Sequence, residues 1–119
     1  MTANKFGKLY LEGTRLALNL LKLSNPSTDY DVTIFQTPNI GEKKGYRPVY
    51  RLTVRAKNHQ EVLKKIFRKF NISEAIPPDY NGRYIWTGDI VFIDEGKNGT
   101  KYYKLVTGGW KKIHRIHVR

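Results

Sequence analysis

The chain has 119 residues, enough for one domain with a real core, and 39% of them are apolar, which excludes an intrinsically disordered protein. Its 22 Lys and Arg against 10 Asp and Glu leave a net charge of +12, an excess that disfavours compaction and answers to an acidic partner. The absence of cysteine excludes disulfides, thiolate zinc sites and a cysteine nucleophile, and suits a reducing, cytoplasmic setting.

Residues 1–29 form an N-terminal element apart from the main domain. Thr14 caps an expected helix whose apolar side carries Leu16, Leu20 and Leu23, although Leu16, Leu18 and Leu20 also alternate as in a strand. Glu12, Arg15, Asn19 and Lys22 interrupt the stretch from Leu9 to Leu23, so it is neither a signal core nor a membrane span, and no membrane partner is expected.

Residues 30–119 are expected to form the compact α+β domain. Val32 and Ile34 alternate with Asp31 and Thr33, predicting a strand from Tyr30 to Gln36. A basic connection over 38–46 leads to a second strand, Tyr46 to Arg55. There Tyr50, Leu52 and Val54 point one way and Arg47, Arg51 and Arg55 the other, and Pro48 indicates a sheet edge. Asn58 and Glu61 read as a capping box for a helix over 59–70. Its apolar side carries Val62, Leu63, Ile66, Phe67 and Phe70; Lys64, Lys65, Arg68 and Lys69 fall outside. Short strands follow at Arg83–Trp86, Ile90–Ile93, Lys101–Val106 and Trp110–Ile113, separated by Gly-containing turns. Ile90 to Ile93 is apolar on both faces and predicts a central strand, with Phe67 and Phe70 packed on Ile90 and Phe92. The order implies one curved antiparallel sheet with a helix packed on it, plus the N-terminal helical segment.

Several motifs carry chemistry. Asp89, after Gly88 at a strand start, reads as a turn-bonding carboxylate and not as a catalytic acid. His59 opens the helix, and His114 and His117 point to opposite faces of a strand, so no metal or other cofactor is expected. A metal-independent ribonuclease using one histidine with Lys or Arg stays open as a third reading. Gly41 to Gly45 lacks the spacing of a phosphate loop. The organised signal is cationic: Arg47, Arg51 and Arg55 on the strand, and Lys111, Lys112, Arg115 and Arg119 in the C-terminal stretch, all candidates for phosphate contacts. Tyr84, Tyr103 and Trp110 are candidates for stacking on unpaired bases, whereas Trp86 and one of Tyr102 and Tyr103 are expected in the core.

Val32 to Gln36, Ile66 to Asn71, Trp86 to Val91, Tyr102-Tyr103 and Gly109-Trp110, with a Pro-rich turn between the helix and Trp86, resemble in order and spacing the YodL-like domain family of bacterial and mobile-element proteins. The resemblance runs from Tyr30 to Ile113, with a longer and more basic connection after Gln36. It implies a compact domain and supplies no catalytic residue. The reading is a non-catalytic module binding nucleic acid, DNA or RNA, through its phosphate backbone. The alternative is a protein-interaction module, such as a mobile-element inhibitor or regulator, docking on an acidic host protein.

Overall fold

The computed structural model describes residues 26–116. The expected N-terminal helix and Arg119 lie outside them. In chain order the elements are β1 (Thr28–Gln36), β2 (Arg47–Ala56), α1 (His59–Asn71), β3 (Ile90–Asp94), β4 (Thr100–Val106) and β5 (Gly109–Ile113), with short 3-10 turns at Ser73–Ala75 and Gly96–Asn98. The five strands form one antiparallel sheet in the order β2-β1-β3-β4-β5. The apolar run at Ile90 therefore occupies the centre, as its two-sided hydrophobicity predicts. β2 lies at an edge, the position in a sheet that tolerates the missing N–H of Pro48.

The helix starts where the capping pattern places it. Asn58 Oδ1 accepts from the Glu61 N–H at 2.9 Å, and Glu61 Oε1 reaches back to the Lys57 N–H at 2.7 Å. Val62, Leu63, Ile66 and Phe70 are buried against Tyr30, Val32, Ile34, Val54, Val91 and Ile93 on one face of the sheet. Phe70 meets the rings of Tyr50 and Tyr80 at 5.7 and 4.7 Å. Phe67 is not part of this core. It is 42% exposed, because it lies at the margin of the apolar arc and turns towards open space.

Register corrects two further expectations. Val91 and Ile93 pair with Ile34 and Val32, so they face the helix, and Ile90 and Phe92 face away from it. On that second face Phe92 stands between Phe35 (6.4 Å) and Tyr102 (4.7 Å). In β2 a register shift at Ile34/Phe35 pairs Tyr50 with Ile34 but Pro48 with Phe35, leaving Val49 as an extra residue. A bulge of this kind reverses side-chain parity beyond it. Arg47 consequently pairs with Gln36 on the helix face, while Arg51 and Arg55 pair with Thr33 and Asp29 on the other. The three arginines do not share a face.

The segment 83–86 is extended but forms no strand. The Asn71 side chain stands in for a neighbouring strand, its Oδ1 accepting from the Ile85 N–H at 2.8 Å and its Nδ2 donating to the Ile85 carbonyl at 3.3 Å.

Candidate functional site

Three elements line an open groove of about 640 Å3 along one flank of the helix. α1 contributes Lys64 and Phe67, the 83–89 segment contributes Ile85 and Trp86, and the β4–β5 hairpin contributes Leu105 and Trp110. Ile85 forms the fully buried floor, and Leu105 and Trp110 are half-buried. Trp86, expected in the core, is 57% exposed. The chain has only two tryptophans, and both line this groove.

A buried polar network holds the Trp86 wall in place. Asp89 is 1% exposed and accepts from the Trp86 N–H (2.8 Å), Gln36 Nε2 (3.0 Å) and Arg83 Nη1 (3.0 Å). Burial pushes the Asp89 carboxyl above its ordinary range, opposed by the Trp86 amide, Gln36 and Arg83. Gln36 also spans the segment, its Oε1 accepting from the Arg83 N–H at 3.1 Å and its Nε2 donating to the Arg83 carbonyl at 3.0 Å. Asp89 thus bonds its own turn, as the Gly-Asp pattern predicts, and in doing so fixes Trp86. Gly88 adopts φ of 100°, a conformation costly for any side chain, and its carbonyl accepts from Tyr46 Oη at 2.6 Å.

A second polar cluster lies where α1 begins. His59 opens the helix, with Nδ1 2.7 Å from Tyr103 Oη and Nε2 2.9 Å from Glu95 Oε1. Both ring nitrogens are engaged with the fold, so neither is presented to a substrate. Among the described residues no three His, Asp or Glu side chains converge as metal ligands, and no helix is long and apolar enough to cross a membrane.

The predicted cationic residues are dispersed. Arg51 grips Asp31 through two bonds of 2.9 and 2.6 Å and holds its carboxyl below the usual range, and Arg55 bonds Asp29 at 3.1 Å. Arg47 is exposed at the mouth of a separate small cleft beside Gln36 and Arg83. Lys111 pairs with Lys104 on the face away from the helix, and Lys112 pairs with Tyr103 on the helix face. Arg115 is exposed beyond β5. Of the stacking candidates, Tyr84 is 54% exposed with its hydroxyl 3.2 Å from Ser73 Oγ, and Tyr103 is half-buried against His59. Tyr102 is likewise half-buried, so neither member of that pair is a full core residue. Trp110 alone of the three lines the groove. Sequence reasoning missed Phe67 and Trp86 as exposed residues; the signal was present in the position of Phe67 at the edge of the helical arc.

A helix on one face of a five-stranded antiparallel sheet, with an aromatic groove at the helix margin, defines a small α+β domain with an open surface recess. The YodL-like domain model matches residues 27–115, and the chain belongs to that family. It is 53% identical over 93 residues to the Bacillus subtilis (strain 168) protein described as "Uncharacterized protein YodL", covering 78% of this chain and 89% of that one. No solved structure matches.

Proposed function

We propose that the protein is a non-catalytic binding module that docks a segment of another protein in the groove between α1 and the β4–β5 hairpin. One observation carries this reading. Phe67 and Trp86, both of which the sequence pattern assigns to the core, stand 42% and 57% exposed in the same groove, beside Trp110. Large apolar side chains gathered on a surface cost solubility unless they meet a partner, and Trp is enriched among the residues that dominate binding energy. Catalysis is less well served. The two titratable clusters, Asp89 with Arg83 and Gln36, and His59 with Tyr103 and Glu95, have their polar atoms turned into the fold. The test is capture of partners from nuclease-treated host lysate on the immobilised full chain and on a Trp86→Ala variant. A stoichiometric protein retained by the wild type and lost by the variant supports the reading. Equal retention by both refutes it.

The nucleic-acid reading has its own support in the exposed Lys111, Lys112 and Arg115 at the end of the sheet. On duplex DNA each neutralised phosphate adds ~0.9 to the slope of log affinity against log salt. Replacing these three by Ala is then expected to flatten that slope by up to ~2.7, equally for unrelated sequences. Nucleic acid carried through purification, seen as a high 260/280 absorbance ratio before a salt wash, would favour this reading; an unchanged slope would remove it.

A further inference from the structure

The chemistry of the groove also specifies what kind of segment enters it. We infer that the groove takes an acidic amphipathic segment of a partner protein, with its apolar side chains against Phe67, Trp86 and Trp110 and its carboxylates against Lys64, Arg68 and Lys112. This rests on the docking reading of the groove and adds the sign and the side of the partner's charge.

None of the residues lining the groove is acidic, and Lys64 is among them. Arg68 is exposed one turn along α1 from Lys64, on the same flank. Across the groove, Lys112 is exposed two residues beyond Trp110 and therefore on the same face of β5. Lys64 thus lines the apolar recess, and Arg68 and Lys112 lie just beyond its lining, one turn along α1 from Lys64 and two residues along β5 from Trp110. Glu61, the acid on the exposed side of α1, is committed to the Lys57 amide. The other flank of the helix is different: Lys65 Nζ donates to the Arg55 carbonyl at 2.7 Å and belongs to the β2 side.

The apolar lining argues for side chains over bases. A base carries donors and acceptors around its edge, and against Phe67, Ile85, Trp86, Leu105 and Trp110 most would lose water without gaining a partner. An aliphatic or aromatic side chain has none to lose. A bilayer surface fits no better, because interfacial rings must stand at a crest, and these line a recess bounded by three elements. Carboxylates at the rim stay partly hydrated, so their pairing with Lys64, Arg68 and Lys112 steers association and fades with salt.

The test begins with a displayed library of short random peptides, selected on the full chain and counter-selected on Trp86→Ala. Trp86 is exposed, so that variant keeps the fold. The expected winners combine apolar anchors with a net negative charge. A synthetic winner should shift the tryptophan emission to the blue, since both tryptophans lie in the groove. Lys64→Glu/Arg68→Glu should weaken it by about tenfold or more at low salt and much less at high salt. Lys65→Glu/Lys69→Glu, the same charge change on the other flank, should leave it within about twofold. Neutral or basic winners, or equal losses from both double variants, would overturn the acidic segment and leave the groove reading standing. If no peptide separates the wild type from Trp86→Ala, the groove reading falls and this inference with it. A single-stranded oligonucleotide or phosphatidylglycerol vesicles shifting the emission where peptides do not would overturn a protein partner.

Discussion

Phe67 and Phe70 sit three residues apart on the same helix, and their replacement by alanine separates a groove from a core. Phe70 is fully buried between Tyr50 and Tyr80, so Phe70→Ala removes its transfer free energy and leaves a cavity, a loss of ~3–5 kcal/mol. Phe67 is 42% exposed, so somewhat over half of its surface leaves water on folding. Full burial of a phenylalanine is worth roughly 1.5–3 kcal/mol, which scales here to about 1–2 kcal/mol, with no cavity term because the space beside it is already open. Urea titration of both variants with equal slopes measures the difference directly. Phe67→Ala is expected to be the milder by about 1–4 kcal/mol while losing groove ligands. Equal destabilisation would mean that Phe67 is enclosed in solution and that the groove is shut.

Asp89→Ala leaves the Arg83 guanidinium, the Gln36 amide and the Trp86 N–H without their shared acceptor, and is expected to cost ~3–5 kcal/mol in the same titration; a loss below ~1 kcal/mol would contradict the network. Arg51→Ala and Arg55→Ala break ion pairs whose arginine side chains are 73% and 67% exposed, so each should change stability by less than ~1 kcal/mol. The Tyr80 hydroxyl is pushed up to about 12, first by burial and then by the Asp89 carboxylate. A raised value means that the folded state holds its proton longer than the unfolded chain, so this stabilisation is complete below about pH 10 and is lost as pH rises towards about 12. Urea midpoints across that range should fall less steeply for Tyr80→Phe than for the wild type. EDTA should leave the melting temperature unchanged; a fall restored by a divalent ion would reveal a metal site.

The fold was legible wherever a local pattern had only one reading. Asn58 and Glu61 set the start of α1, Pro48 set an edge, and the run at Ile90 set the sheet centre. The site was much less legible, because its features arise from pairings distant in sequence. The bulge at Val49 depends on how β1 and β2 align and leaves no mark in a single strand, yet it moves Arg47 to the other face. The extended stretch at Arg83–Trp86 has the composition of a strand, but its backbone is met by the side chains of Gln36, Asn71 and Asp89, contributed partly from far along the chain. Burial of Trp86 was the natural inference from its size. What the residue type could not show is that the space beside it stays open between α1 and the hairpin.

The Asn71 bonds to Ile85 have a dynamic consequence. A strand inside a ladder opens only when its neighbours do, whereas the Ile85 backbone is tied by one carboxamide, and Trp86 by the carboxylate and the backbone N–H of Asp89, a turn that is itself pinned to Leu105. Detaching the Trp86 wall leaves the five strands paired, but it must expose the buried Ile85 and break the Asp89 network. In native-state hydrogen exchange the amides of Ile85 and Trp86 should exchange once that network breaks, ahead of those of Val32, Ile34 and Val91 at the sheet centre, whose opening needs the ladder itself to part.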